Sequence, residues 1–405
     1  MLSVMIARSP ESYDCRIVHG LSGVDRDAWN AVANPPGEPY DPFLDWDFLE
    51  GLERTGCASP GAGWSPHHLI AYDETGAIAG AMPLYLKSHS YGEFVFDHSW
   101  ADAFERAGGS YYPKLLCAVP FTPVAGRRIL VRRARDSTDI FDALFKTATR
   151  LAQGNDLSSL HINFASRTQW NELAALGCLQ RQDQQFHWRN DGYRTFDDFL
   201  AALSSAKRKN LRKERARAQD GVVYSHLTGD ELKSSHWDDF FEFYEDTGAR
   251  KWGSPYLNRA FFELLHQRMA DKTLLILASD ADTGETIAGA LNMIGGETLY
   301  GRYWGRREDR PFLHFETCYY QAVDFAIARG LKTVEAGAQG GHKLARGYVP
   351  VPTYSAHWLV NDSFSQAVSR YLEAERREVD AHIDYLGQHS PFKKSNDGQP
   401  EKGNE

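Results

Sequence analysis

TGAIAGAMPLYL at residues 75–86 and TGETIAGALNMI at residues 283–294 are two versions of one phrase. Each reads as a turn followed by a strand. Each is preceded by an apolar strand-like run, HLIAY at 68–72 and LLILA at 274–278. Further upstream, a helix-like stretch opens on related words, PFLD at 42–45 and PYLN at 255–258. The order helix, strand, turn, strand therefore recurs at an offset of about 210 residues, half of the 405-residue chain. This predicts two related α/β domains of ordinary size, 13–190 and 193–387. Each hairpin is expected to form the second and third strands of a mixed sheet. Residues 388–405 read as a polar, disordered tail.

Composition limits what these domains do. An apolar fraction of 42% is enough for two cores, and 13% aromatic residues argue against disorder. The net charge of −9 argues against DNA binding, so any polyanion contact needs a local basic patch. The cysteines, Cys15, Cys57, Cys117, Cys178 and Cys318, are odd in number and widely spaced, which fits neither a disulfide framework nor a zinc site. No signal-peptide plan and no membrane-length apolar run is present, so a cytoplasmic protein without stable membrane insertion is expected.

The second unit reads as helices, a three-stranded meander (273–279, 286–294, 298–304), a helix over 314–329 stopped by Gly330, a strand at 333–336, a last strand at 354–360 and a closing helix. In the first unit 94–96 reads as a short strand, and 185–188 closes the unit. The recognisable words of the second unit are KRKNLRKERARAQ (207–219), KWGSPYL (251–257), IAGALN (287–292), LYGRYWG (299–305), PFLHFETCYYQAVDFAIARGL (311–331) and EAGAQGGHKLARGY (335–348). FVFDHSWADAFERAG (94–108) and YYPKLLCAVPFTPVAG (111–126) join them from the first unit. With this element order, the chain resembles the GNAT acyltransferases, and within them the FemAB-like group of predicted N-acyltransferases, also called peptidoglycan biosynthesis/recognition proteins. The resemblance implies two tandem GNAT-like domains with mixed sheets flanked by helices, the second carrying most of the active site. It implies transfer of an acyl or aminoacyl group from acyl-CoA or aminoacyl-tRNA, used as co-substrate, to an amine, such as one on a cell-wall precursor. No tightly bound cofactor is expected, and tRNA is a candidate partner. The alternative is a non-catalytic protein that recognises a peptidoglycan peptide.

Amide formation needs aligned reactants, a proton acceptor and donors facing the developing oxyanion. In the GNAT fold a splayed strand supplies the donors, and residues 300–305 occupy that place, with Tyr303 a candidate on the cleft. The turn after Gly305 has no further glycine before the helix, so Arg306, Arg307 and Arg310 are candidates for holding donor phosphate by charge, or form a solvated turn. His314 opens the next helix as a candidate base or a backbone-bonded cap. No metal-ligand spacing occurs around it. The densest segment is 335–348: Glu335 ends a strand, and Gln339, His342, Lys343, Arg346 and Tyr348 follow among glycines. By the resemblance, His342-Lys343 stands for the Phe-Lys pair of Fem ligases, whose lysine polarises the ester. His357 on the following strand, with Asp97 and Trp100 from the first unit, is expected to line the same cleft. The run Lys207–Arg217, with Arg208 and Arg212 as donor-phosphate candidates, is either a solvated face or a receiver of RNA backbone or diphosphate.

Overall fold

The computed structural model describes residues 13–251, 255–338 and 340–393. Its strands are β1 (Asp14–Val18), β2 (Trp64–Pro66), β3 (His68–Tyr72), β4 (Ile78–Met82), β5 (Leu84–Lys87), β6 (Lys114–Cys117), β7 (Leu130–Val131), β8 (Ser159–Ala165), β9 (Leu179–Arg189), β10 (Val222–Leu227), β11 (Thr273–Asp280), β12 (Thr286–Ile294), β13 (Thr298–Arg306), β14 (Thr333–Glu335) and β15 (Val349–Leu359).

The duplicated hairpins are β3–β4 and β11–β12. Gly80 pairs with Ala71 in one, directly beside a register shift, and Gly289 with Leu277 in the other, one pair away from a shift. Their settings differ. β3 and β4 are the middle of an antiparallel four-stranded sheet, β1-β3-β4-β7, rather than of a mixed one. Where β12 runs on unbroken, Pro83 interrupts the first copy. Proline has no N–H for a ladder, and the chain crosses there from the small sheet into the large one as β5.

The large sheet has the order β10-β11-β12-β13-β14-β9-β15-β8-β6-β5-β2. Its centre reads the same from both sides: β13 lies parallel to β14 and β6 parallel to β8, and antiparallel pairs lie between. The pseudo-twofold passes between β9 and β15. Each half lends its last strand to the other: β9 pairs with β14, and β15 pairs with β8. The expected boundary at 190–193 is a tight turn, with Asn190 Oδ1 accepting from the N–H of Gly192 and of Tyr193, but the strand before it sits in the second half's sheet.

Local signals place the helices. Thr195 and Asp198 form a reciprocal capping box at the start of Phe196–Ala202, and Gly330, left-handed, ends Gln321–Arg329. The expected 314–329 helix is not uniform, because Glu316–Tyr320 forms a π turn. The strand expected at 94–96 does not form: Phe94 has a φ of 58°, and the segment is a strap. Of the expected tail, 394–405 lies outside the described residues. Residues 391–393 are ordered against the start of the second half, where Lys393 N–H donates to Ala202 O and Phe392 packs on Phe199. One hydrophobic core joins the halves, with Phe43, Phe48 and Leu49 of the first against Phe261, Leu265 and Met293 of the second. No helix among the described residues is long and apolar enough to cross a membrane.

Candidate functional site

β14 has only three residues, and that shortness opens the sheet. It pairs with β13 at 298–300 and with β9 at 187–189. Above it, β13 continues to Arg306 and β9 runs back to Leu179 with no strand between them. Gly301 stands where they part. A Cβ there would lie 3.1 Å from the Glu335 carbonyl oxygen, a tight contact that would press β13 away from the end of β14. A register shift in the β12–β13 pairing leaves Arg302 as the extra residue, which re-aims it toward the first half. Arg302 Nη2 and the Tyr303 hydroxyl both donate to Phe121 O, at 2.7 and 3.1 Å. The first half thus walls the gap.

Glu335 sits at the base of this gap. Its Oε2 is buried without a hydrogen-bond partner, and its Oε1 is 3.8 Å from His187 Nε2. Burial pushes its pKa up to about 8, and the Asp41 carboxylate adds to the rise against the pull of Arg302 and Arg128. Burial takes His187 down to about 3, so it is neutral at working pH. Asp41 comes from the first half. The 39–41 segment lies on the Gly295-Gly296 turn, with Gly296 N–H donating to Tyr40 O at 2.9 Å. A Cβ at Gly296 would be 2.6 Å from Tyr40 N, so only glycine allows this seating. Asn34 clamps the Asp41 backbone on both sides, and Asp41 Oδ1 accepts from Phe43 N–H at 2.9 Å. Burial raises the Asp41 carboxyl, and Arg128 opposes the rise. Arg128 is itself 1% exposed and spends its donors on the carbonyls of Asn163, Arg127 and Val124. Two carboxyls and two guanidiniums from different halves therefore bear on one another's charge here, and the Glu335 Oε2 oxygen is left without a partner. Of these, sequence reasoning singled out Glu335 alone. Asp41, Arg128, His187 and Arg302 carry no local motif, and only the exchanged strands and the two-glycine turn bring them in.

The other sequence-derived candidates divide into groups. His342, His314 and Lys343 gather beside the gap on the face where Trp304, rather than Tyr303, joins the core. His314 stacks on Trp304 at 4.3 Å and lies 6.1 Å from His342, whose Nε2 is 3.2 Å from the Tyr319 hydroxyl. Burial, then Arg346 and Lys343, lowers the His342 pKa. Lys343 is 4% exposed and turns inward, its Nζ donating to the carbonyls of Ala336 and Gly337, the latter at 3.1 Å. Burial brings its pKa down to about 8. Gln339 lies outside the described residues.

Several expected convergences do not occur. Tyr303 packs on Tyr244 across the sheet from the His342 group. Arg346 is an internal tie, bonded to Glu214 at 2.8 Å and set over the Phe315 ring, and Tyr348 is fully buried with its hydroxyl on Tyr319 O. Asp97, Trp100 and His357 belong to a separate buried cluster of the first half. There Lys114 Nζ donates to Ser90, Glu93 and Asp97, Tyr111 donates to Asp97, and His357 meets His161 at 2.6 Å. The arginines at and after the end of β13 are each matched by a carboxylate: Arg306 by Asp309, Arg307 by Glu242, Arg310 by Asp280 and Glu308. The basic helix (Ser205–Ala218) does present a cationic stripe. Arg208, Lys209, Arg212 and Lys213 line a shallow groove of about 320 Å³, with Arg212 also reaching Asp197 at 2.8 Å.

The comparisons agree with this architecture. The family model FemAB_like, described as peptidoglycan biosynthesis/recognition, matches residues 20–394. No curated protein matches the chain. Among solved structures, FemX is similar with a TM-score of 0.54 and 14% identity, covering 85% of this chain and 98% of that one. The C-terminal domain (DUF2156) of an Agrobacterium fabrum protein described as a lysylphosphatidylglycerol synthetase gives a TM-score of 0.50 at 10% identity, covering 86% and 95%. A tandem GNAT protein from the clavulanic acid biosynthesis pathway covers 86% and 99% at 13% identity, with a TM-score of 0.43. At these identities the likeness is one of fold.

Proposed function

Because this chain belongs to the FemAB-like family, and is a transferase built of two GNAT-like units, we propose that it moves an acyl or aminoacyl group onto an amine held at Glu335. The observation that carries the reading is the unpartnered Glu335 oxygen at the foot of the gap, under the influence of Arg128 and Arg302 from different halves. An incoming ammonium finds two carboxyls there. In its ionised form Glu335 takes the ammonium's proton, and a pKa of about 8 keeps that form accessible near working pH. The freed amine attacks the donor carbonyl. The N–C bond forms, the C–S or C–O bond to the carrier breaks, and the carrier leaves as thiol or hydroxyl once protonated. The edge of β13 beyond Gly301 is paired to β12 alone, so its backbone groups on the other side face the gap and can receive the oxyanion. The donor enters beside Trp304, His314 and His342, and Lys343 holds the loop carbonyls that border it. Acyl-CoA and aminoacyl-tRNA are both compatible donors, and the acceptor amine is one on a cell-wall precursor or a related metabolite.

The test is direct. The protein is incubated with acyl-CoA or with aminoacyl-tRNA and a panel of amines, and acylated products are read by mass spectrometry. Glu335→Gln is expected to lower turnover by roughly a hundredfold or more. Undiminished turnover in that variant overturns the assignment.

A further inference from the structure

The open edge of β9 begins above Phe186, whose N–H donates to Gly337 O and whose carbonyl accepts from Ala336 N–H. Gln185 closes the first step, its Nε2 donating to Pro123 O at 2.6 Å. Beyond it, the strap at 94–96 covers a crevice lined by Phe94, Phe96, Phe164, Asp183, Thr353 and Ser355. The free space is about 10 Å³, room for one group the size of water.

Of the two charged groups in this lining, Arg181 is paired and Asp183 is not. Arg181 gives Nε and Nη2 to Glu375 at 2.9 and 2.7 Å, gives Nη1 to Phe96 O, and lies over the Trp100 ring. Gln182 donates to Asp380, and Ser355 Oγ accepts from Phe164 N–H. Asp183 has only the N–H of Gln184, at 2.7 Å, and no cation pairs with it among the described residues. Its carboxyl is reachable by water yet surrounded by protein, which raises its pKa, while Arg181 opposes the rise. The crevice thus offers one uncompensated carboxylate, three phenyl rings and a water-sized hole. An anion meets Asp183 and is repelled. A quaternary ammonium is too large. A hydroxyl leaves the charge unanswered. A primary ammonium matches the size, the charge and the ring faces together.

We infer that this crevice is a subsite for a primary ammonium group, with Asp183 as its counter-charge. Asp183 is four residues along β9 from His187, about 13 Å at the rise of a strand. On the transfer reading given above, the ligand is then an acceptor with two amines that far apart, one anchored at Asp183 and the other presented to Glu335. Only this identification of the ligand rests on that reading, and the ammonium site itself does not.

Propylammonium is the probe, titrated into the full chain by calorimetry, with tetrapropylammonium as the control for size. Saturable binding of propylammonium alone is expected. Asp183→Asn should weaken it about tenfold, and Phe96→Leu, which keeps the charge and removes an exposed ring, by a smaller factor of about two to five. Phe96 is exposed and the Asp183 carboxyl is held at a cost, so neither variant should lower the melting temperature. Glu335→Gln should lose transfer and keep the component of probe binding that Asp183→Asn weakens. No saturable binding in the wild type, or equal binding by Asp183→Asn, overturns the subsite. Loss of binding in Glu335→Gln also overturns it, because the probe would then be reporting Glu335.

Discussion

Glu335 is held in a state that solvent would not allow, and the fold bears the strain of it. In the unfolded chain this carboxyl ionises near 4.5, whereas in the folded protein it keeps its proton to about 8. Between those values the unfolded state gives up a proton that the folded state retains, so stability falls as pH rises from about 4.5 to 8 and levels off above. Glu335→Gln removes this term. The variant should match the wild type below pH 4.5 and exceed it at pH 8 by an amount on the order of 2–4 kcal/mol in urea titrations, while losing turnover. Equal stability at both pH values would mean that the carboxyl is better solvated than its surroundings imply. Lys343 is held differently: its ammonium ties two loop carbonyls next to the gap. Lys343→Ala should lower turnover by roughly a hundredfold if those carbonyls border the transition state, and near-normal turnover would remove the lysine from the mechanism.

Among the elements, the basic helix shows how one run of charge divides between two tasks. Arg208, Lys209, Arg212 and Lys213 lie on the open stripe. Arg215 turns inward, paired with Glu316 at 3.0 Å and Asp324 at 2.5 Å and stacked on Phe196. Glu316 is fully buried on the π turn, and Gln219 and Gln321 also donate to it. Helical spacing cannot separate these positions, because the acid that claims Arg215 lies about a hundred residues away. The two sets should respond differently. Reversal of Arg208, Arg212 and Lys213 to Glu should leave the melting temperature unchanged and abolish any RNA binding. If four stripe charges engage a single strand, the log–log salt slope of the wild type should be near −3. Arg215→Glu should instead destabilise by about 3 kcal/mol or more, since it leaves Glu316 buried without its cation. A shallow slope with tight coenzyme A binding would favour an acyl-CoA donor.

For the whole molecule, strand exchange makes two halves into one body. Residues 193–393 alone would lack β8 and β9, leaving β14 with an open edge beside β13 and β15 with no partner strand. That fragment should be insoluble or unfolded by circular dichroism, and so should 13–190 without β15. Co-expression of the two should restore a folded complex in gel filtration. A fragment that folds alone with native secondary structure would show that the exchange is dispensable.

The hairpins, the capping box at Thr195, the stop at Gly330 and the element order of the second half were legible because each rests on contacts within about a dozen neighbouring residues or on repetition of one pattern. The sequence by itself therefore determined the duplication, the fold class and Glu335 as a strand-end acid. It could not determine which half β9 and β15 serve, because both strands pair with either side equally well by pattern. That choice was made only in tertiary structure, and the site follows from it. Asp41 and Arg128 reach Glu335 across two exchanged strands and the Gly295-Gly296 turn, while Asp97, Trp100 and His357 are drawn off to Lys114 and His161. Burial and charge pairing act through space, and the distances that set them do not exist until the sheet has closed.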